Sequence, residues 1–577
     1  MRNYLLAITT GAALMLSTFA GNACTNYLIT KGASKNGSVM ISYAADSHTL
    51  YGELYYKAPA TYPAGTMMKV YEWDTSKYLG EIPQARETYN VLGNVNEYQV
   101  AIGETTYTGR TELQDTTGLV DYGSLIYITL QRSKSAREAI KVMTDLVANH
   151  GYYSTGESFS IADQNEAWIL EMIGKGPGVK GANWVARRVP DGYVSGHANQ
   201  ARITQFPKAN GKTSITNKQM NRLFNPAVEC VYSYDVIKFA KSKGYVDKKM
   251  KHEEFSFSDT YAPVDFGGAR FCDMRVWAMF DQVSTDMDKY WEYAKGNITH
   301  DEKTGYANNR MPLWIKPNRK IDVQDMMHFM RNHLEGTELD MTQDPGAGAF
   351  GVPYRWRPMT WEYEGKTYCN ERATGTQQTG FSFIAELRSD LPREIGVINW
   401  FSVGNASTSV YTPIYANITK APETIKEGNG DMLTYSPTSA FWTFSKVTNF
   451  AYLRWSYMYK DITKVQSELE NKFVAELATI DAKAKELLAT DRDAAIKYLT
   501  EYSCKTADAT KERYDRLFEF LLVKYIDGNI KKETNGVFER TADGVAVFPD
   551  QPGYDENWKR NVVEKVGKLK EVVGGGH

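Results

Sequence analysis

One residue, Cys24, most constrains what this chain can become, because it follows a segment typical of a cleaved export signal. Arg2 supplies positive charge, residues 4–19 form a short apolar run, and Gly21 and Ala23 are small residues at the two positions that a signal peptidase reads. The apolar run is too short to span a bilayer, which needs about 20 residues. The sequence therefore predicts a leader over residues 1–23 and a mature chain that begins at Cys24.

An N-terminal cysteine carries a thiol and a free α-amine on one residue. The amine has an unperturbed pKa of about 7.7–8, so it is a general base close to neutral pH. It can activate the adjacent thiol without a histidine. A second reading is a lipoprotein whose Cys24 is acylated, although such signals prefer a large aliphatic residue where this chain has Gly21.

The rest of the chain contains no further apolar run long enough to cross a membrane. We therefore expect an exported protein, periplasmic or extracellular, with lipid anchoring at Cys24 as the alternative. The formal net charge of −2 gives no electrostatic reason to expect nucleic acid or an anionic membrane as a partner. The 577 residues are ample for a large core, and the sequence leaves homo-oligomerisation open.

The chain has five cysteines, an odd number for an exported protein. At least one is therefore free, lipidated or paired between chains. Their wide spacing contains no CxxC and argues against a zinc knuckle or a disulfide-dense scaffold. The sequence does not say whether the four others pair or stay as thiols, and these are Cys230, Cys272, Cys369 and Cys504.

Apolar and β-prone segments alternate with turns in the first part of the chain. Residues 25–30 and 38–43 predict a hairpin with Cys24 at its start. Residues 121–132 and 135–148 predict helices, the second with Ser135 as N-cap. A further strand meander is predicted after them. Strands, paired helices and more strands indicate an α+β fold with helices layered on antiparallel sheets.

The character of the chain changes near residue 461. Apolar residues recur at three- and four-residue intervals over residues 462–487, and a second stripe covers residues 514–525. Both stripes predict packing seams of long helices. We therefore expect a catalytic domain over residues 24–460 and a helical region over 461–577 with a partly flexible, glycine-ended tail.

The histidines show no metal-ligand or papain-like pattern. There is no HExxH, and no signature surrounds another cysteine. His197 would share a strand face with Asn199, but we expect it to be structural.

Several blocks together resemble the dipeptidase A-like cysteine dipeptidases, which are N-terminal-nucleophile (Ntn) hydrolases. The similarity runs in collinear order over roughly residues 24 to 460. The blocks are residues 24–34 (CTNYLITKGAS), 37–39, 46–48, 96–106 (NEYQVAIGETT), 161–171, 184–192, 198–203, 274–277, 335–340 and 439–442. In one departure, residues 43–45 read Tyr-Ala-Ala where many members carry an arginine, so the electrostatic partner of Asp46 is expected to differ.

The resemblance implies a four-layer αββα sandwich and amide-bond hydrolysis of dipeptides through a thioester, with no metal and no cofactor. It places Asp46 near the α-amine, Asn199 as an oxyanion donor, and Arg275 near the thiol or a carboxylate, with Arg270 as its competitor. Substrate termini need charged partners. The expected binders of a dipeptide's free amine are Glu104, Thr105 and Thr106.

Two alternatives to a dipeptidase stay open at this point. One is a hydrolase of non-peptide acyl amides with the same fold. The other is a glycan-binding surface lipoprotein lipidated at Cys24, for which 38 tyrosines and 12 tryptophans would suit sugar stacking.

Overall fold

The computed structural model describes residues 24–572. The predicted leader, residues 1–23, and the last five residues lie outside the described residues. The elements follow in chain order. The strands are β1 (Asn26–Ile29), β2 (Val39–Asp46), β3 (Tyr56–Lys57), β4 (Ala60–Thr61), β5 (Met67–Tyr71), β6 (Tyr78–Pro83), β7 (Glu87–Thr88), β8 (Val91–Leu92), β9 (Val95–Asn96), β10 (Ala101–Thr108), β11 (Gly156–Ala162), β12 (Ala167–Gly174), β13 (Ala182–Arg188), β14 (Val194–His197), β15 (Ser214–Thr216), β16 (Cys230–Tyr232), β17 (Trp314–Ile315), β18 (Thr360–Tyr363), β19 (Lys366–Cys369), β20 (Thr379–Leu387), β21 (Val397–Val403), β22 (Thr412–Tyr415), β23 (Glu533–Thr534) and β24 (Val537–Phe538).

The α-helices of the same part of the chain are α1 (Tyr122–Leu130), α2 (Ala136–His150), α3 (Val236–Ser242), α4 (Phe257–Tyr261), α5 (Met274–Asp281), α6 (Trp291–Ala294), α7 (Val323–Phe329), α8 (Arg393–Gly396), α9 (Ala440–Ala451), α10 (Trp455–Leu488), α11 (Arg492–Tyr525) and α12 (Glu556–Lys570). A π-helical segment, Gly268–Asp273, leads directly into α5. The mixed content confirms the predicted α+β class.

Two large sheets organise the strands. The first has the order β17-β14-β1-β2-β20-β21-β22 and is antiparallel throughout. The second has the order β15-β16-β13-β12-β11-β10-β9-β8-β3 and is antiparallel except between β15 and β16. In the first sheet β1 lies between β2 and β14, so the chain that follows Cys24 enters the interior of a sheet.

The two sheets contact each other where β1 and β2 cross β10 and β11. Gly103 of β10 makes this approach possible. A Cβ atom at that position would lie 2.2 Å from Asn26 Oδ1 and 3.2 Å from Tyr43 Cβ, so any other residue would push the sheets apart. The side chains that point into this contact form the candidate site.

Helices pack against both sheets. The pair α1 and α2 contacts the second sheet, while α5, α7, α9, α10 and α11 contact the first. Ser135 caps α2 as predicted, since its side chain accepts a hydrogen bond from the backbone N–H of Glu138. None of the helices between residues 24 and 572 combines the length and apolar character needed to cross a membrane.

The C-terminal helices share the core of the first sheet. Tyr514, Leu517 and Leu521 of α11 are buried in the same hydrophobic cluster as β1, β2 and β22. Two arginines also join α10 to the rest of the fold. Arg331, which follows α7, pairs with Glu470, and the buried Arg388, which follows β20, pairs with Asp481. The predicted boundary at residue 460 falls inside α10, which begins at Trp455.

Candidate active site

Cys24 lies at the start of β1, where the backbone of Thr25 pairs with Ala44 of β2 through two hydrogen bonds of 3.3 and 2.9 Å. This pairing fixes the cysteine between the two sheets. Its side chain is almost fully buried, with 1% exposed.

The thiol faces a tyrosine and a carboxylate. Cys24 Sγ lies 3.5 Å from Glu104 Oε1 and 3.7 Å from Tyr43 Oη, and it donates toward each. Tyr43 in turn donates to the same Glu104 oxygen at 2.5 Å. Tyr43 lies in the segment 43–45, in which the sequence departs from the resembling family, and it places a hydroxyl beside the thiol.

These surroundings raise the pKa of the Cys24 thiol well above its usual range. Burial is the main cause, followed by the negative charges of Glu104 and Asp46. The hydrogen bond from the Asp46 backbone N–H and the hydrogen bond between the thiol and Tyr43 act in the opposite direction. With residue 23 still attached, the nitrogen of Cys24 is a peptide nitrogen, and the sulfur is a neutral thiol at neutral pH.

Asp46 ends β2, immediately after an irregularity in its pairing with β20. Such a bulge changes the direction of a side chain. The carboxylate is fully buried, pairs with Arg372 Nη2 at 2.6 Å and accepts a hydrogen bond from Thr379 Oγ1 at 2.6 Å. Arg372 is thus the ionic partner of Asp46, and no local pattern in the sequence pointed to it.

Arg275, on α5, holds the backbone around Cys24. Its Nη1 donates to the Cys24 carbonyl at 2.6 Å and to Thr25 Oγ1 at 2.7 Å. Its Nη2 donates to Asn199 Oδ1 at 2.9 Å. The competitor Arg270 forms a two-pronged ion pair with Glu371 instead, at 2.7 and 2.6 Å. Of the two arginines, Arg275 therefore contacts the candidate site.

Asn199 follows β14 and has a φ of 66°, in the left-handed region that few residues other than glycine adopt. Strain of this kind is frequently found at functional sites. Its Nδ2 donates to the Thr106 carbonyl at 2.7 Å while its Oδ1 accepts from Arg275. Asn26 caps the Glu104 carbonyl in the same way at 2.5 Å.

A second buried carboxyl group lies next to Glu104. Glu157 of β11 stands opposite Thr106 in the sheet and accepts a hydrogen bond from Thr106 Oγ1 at 2.7 Å. Among the described residues, the Oε2 atoms of Glu104 and Glu157 are buried without a donor. Sequence reasoning missed Glu157, since its position on another strand carries no motif.

One proton between the two carboxyl groups satisfies both oxygens. Burial raises the pKa of Glu104 to about 7, and burial together with the charge of Glu104 raises the pKa of Glu157 well above its usual range. Like charges in one buried site cannot both ionise cheaply. The pair therefore carries at most one negative charge near neutral pH, and a bound cation would favour that charged state.

The hydroxyl of Thr105, one of the expected substrate binders, is hydrogen-bonded to a buried histidine. Thr105 Oγ1 lies 2.7 Å from His197 Nδ1, and His197 Nε2 lies 2.7 Å from Ser160 Oγ. Burial, together with Arg202, lowers the pKa of His197 to about 3, so the ring is neutral. No histidine in the described residues hydrogen-bonds the Cys24 thiol, which separates this site from a Cys/His pair.

No group of three or more His, Cys, Asp or Glu side chains between residues 24 and 572 is arranged to hold a metal ion. All five cysteines, which lie in that same range, are free thiols.

Comparison with known proteins decides the family. The model of peptidase family C69 matches residues 23–468, most of the chain. The chain belongs to peptidase family C69. The resemblance seen in the sequence is thereby confirmed.

Curated proteins similar to this C69 member carry dipeptidase names. A probable dipeptidase of Latilactobacillus sakei is 24% identical over 428 residues, covering 70% of this chain and 76% of that protein. A probable dipeptidase B of Streptococcus pyogenes serotype M1 is 21% identical over 541 residues, covering 90% and 97%. Among solved structures, penicillin V acylase from Agrobacterium tumefaciens aligns at 16% identity with a TM-score of 0.19, covering 28% of this chain and 49% of that one.

The surroundings of the thiol predict how its reactivity responds to removal of residue 23. A free α-ammonium on Cys24 adds a cation beside a sulfur that otherwise faces two carboxylates, and this lowers the thiol pKa. We expect the pH midpoint for alkylation of Cys24 by iodoacetamide to fall by at least about one unit when the chain begins at Cys24. Mass spectrometry of the Cys24 peptide measures the extent of alkylation at each pH in two chains, one that begins at Cys24 and one that retains residue 23. Alkylation of Cys504 in the same chains is the internal control. Equal midpoints in the two chains would contradict this electrostatic description.

Proposed function

We propose that this C69 peptidase is an exported dipeptidase that cleaves the peptide bond through an N-terminal Cys24 nucleophile and a thioester. The observation that carries the proposal is the placement of Cys24 at the start of β1, with its thiol 3.5 Å from Glu104. Peptidase family C69 and the dipeptidase names of its relatives support the reaction class. The helices outside two facing sheets are consistent with the four-layer αββα sandwich of Ntn hydrolases, which we include in the proposal.

Export and activation are one event in this proposal. Cleavage after Ala23 releases the protein from its leader outside the cytoplasm and converts the Cys24 nitrogen into an amine. The amine accepts the thiol proton and forms an ammonium–thiolate pair. Asp46, whose negative charge opposes ionisation of an isolated thiol, stabilises that ammonium.

The chemical cycle then has two acyl transfers. The thiolate attacks the scissile carbonyl carbon, and the ammonium gives its proton to the leaving nitrogen as the C–N bond breaks. Water next attacks the thioester carbonyl, the amine takes a proton from that water, and the C–S bond breaks. Each intermediate oxyanion needs donors already in place, typically worth about 3–4 kcal/mol each, and we assign this role to the Asn199 amide.

The remaining residues position these groups. Arg275 binds the Cys24 carbonyl and Asn199, so it holds nucleophile and oxyanion donor in one geometry. Arg372 and Thr379 orient the Asp46 carboxylate. Glu104, with its proton-sharing partner Glu157, binds the substrate's α-ammonium. This cation-binding site favours dipeptides over acyl amides, which have no α-ammonium.

Replacement of Cys24 tests the nucleophile. In the mature chain we expect Cys24→Ala to lower kcat on dipeptides by about 10⁴-fold or more, because no other group forms the thioester. Thermal unfolding is expected to show a folded variant, since the change removes one buried sulfur. The matched control is Cys504→Ala on α11, which is expected to retain wild-type kcat. Substantial dipeptide turnover by folded Cys24→Ala would refute the proposal.

Replacement of Glu104 tests recognition of the α-ammonium. The carboxyl is ionised above its pKa of about 7, so wild-type kcat/KM on a dipeptide should rise as the pH passes upward through that value. Glu104→Gln is expected to lose about 10- to 100-fold in kcat/KM on dipeptides at pH 7.5. On the matching N-acetylated peptide, the kcat/KM of this variant should be higher than that of the wild type. Glu229→Gln, at an exposed carboxylate, is the control.

The outcome for Glu104 also separates the two enzyme classes. Faster hydrolysis of N-acyl amides than of free dipeptides by the wild-type protein would favour the acyl-amide hydrolase and contradict the assigned role of Glu104.

A further inference from the structure

A polar cleft lies at Arg372, the ion-pair partner of Asp46. It has an empty volume of about 350 Å³, part of it open to solvent, and Arg357 also lines it. Cys24 does not line it. Arg372, which pairs with Asp46 at 2.6 Å, joins the cleft to the nucleophile's surroundings.

Three arginines line the cleft, and two of them have carboxylate partners. Arg372 is paired with Asp46, and Arg355 with Asp344 at 2.6 Å. Arg357 donates to the Oε1 atom of Gln378 but forms no salt bridge with any described residue. Its positive charge therefore lacks a direct counter-ion.

The charge at Arg357 is destabilised by its surroundings. Burial, followed by the positive charges of Arg372 and Arg275, lowers the pKa of Arg357 to about 10, and Asp46 offsets this only in part. An anion bound there would relieve that repulsion. The other titratable neighbour, His48, does not supply a negative charge, because burial and the positive charges of Arg357 and Arg372 lower its pKa and keep it neutral.

Gln378 links Arg357 to the segment that contains Asp46. Gln378, which accepts from Arg357, also accepts a hydrogen bond from the Ser47 N–H through its carbonyl at 3.0 Å. Ser47 directly follows Asp46, whose backbone N–H contacts the Cys24 thiol. Contacts therefore run in order from Glu104 through Cys24 and Asp46 to Arg372 and the cleft.

We propose that Arg357 binds the α-carboxylate of the substrate, at the opposite end of the site from Glu104. The inference rests on the proposed dipeptidase function and adds to it the group that binds the C-terminal carboxylate of the substrate. A guanidinium matches a carboxylate through two parallel hydrogen bonds. Glu104 and Arg357 then hold the two charged ends of a dipeptide with the scissile bond between them.

This arrangement restricts the length of the peptides that can bind Glu104 and Arg357 at the same time. Each extra residue moves the carboxylate by about 3.3–3.6 Å, beyond reach of the same guanidinium once the α-ammonium is fixed at Glu104. Amidation of the C-terminus removes the negative charge of the peptide without changing its length. Comparing amidation with lengthening of the peptide therefore separates recognition of the carboxylate from recognition of size.

The test compares a dipeptide with its C-terminal amide on the mature enzyme. We expect Arg357→Gln to lose about 10- to 100-fold in kcat/KM on the free dipeptide, through KM, and less than about threefold on the dipeptide amide. Arg357→Lys keeps the positive charge but loses the two parallel donors of the guanidinium. Its kcat/KM on the free dipeptide is expected to lie between those of the wild type and Arg357→Gln. The control is Arg516→Gln, which removes one exposed arginine of α11 outside the cleft. Thermal unfolding confirms that each variant is folded.

The outcomes separate this inference from the proposed function. Equal losses on the dipeptide and its amide, or no loss on either, would overturn the role of Arg357 while dipeptidase activity stands. A wild-type enzyme that hydrolyses neither substrate would overturn both. A loss confined to the free dipeptide supports the assignment.

Discussion

The rest of the site depends on one electrostatic constraint, the burial of the Cys24 sulfur among negative groups. Glu104 and Asp46 both raise the pKa of the thiol, and the adjacent Tyr43 contributes a hydroxyl and no positive charge. A buried thiol in such surroundings is a poor nucleophile until a positive charge arrives. The amine that leader cleavage would create is such a charge, and it appears on the same residue. In the proposed function, this electrostatic effect couples activation of the thiol to removal of the leader.

The fold supplies this constraint through an open strand edge. Beyond Ala101, β10 has no strand partner on the side of β9, so the carbonyls of Glu104 and Thr106 need other donors. The side chains of Asn26 and Asn199 provide them at 2.5 and 2.7 Å. Arg275 links Asn199 to the Cys24 carbonyl. The same hydrogen bonds that satisfy the edge therefore fix the nucleophile, the candidate oxyanion donor and the carboxylate in one unit.

Local patterns were sufficient for some of this arrangement. The hairpin beginning at Cys24, the Ser135 cap and the long C-terminal helices follow from periodicity and turn residues, and the family followed from collinear motif blocks. Arg372, Glu157 and Arg357 could not be found this way, because they reach the site from strands or loops far along the chain. Thr105 shows the converse limit. It lies in a matching motif, yet its hydroxyl is bonded to His197 between the sheets, so sequence position alone did not reveal what it contacts.

Mass analysis of the acyl-enzyme tests the central claim most directly. The mature protein is mixed with excess dipeptide, quenched in acid within the first turnovers and digested. The account predicts that the Cys24 peptide gains the mass of the dipeptide's first residue, that hydroxylamine removes this adduct, and that the N-terminal amine is unmodified. Rapid turnover with no adduct on Cys24, or with the adduct on another residue, would contradict it.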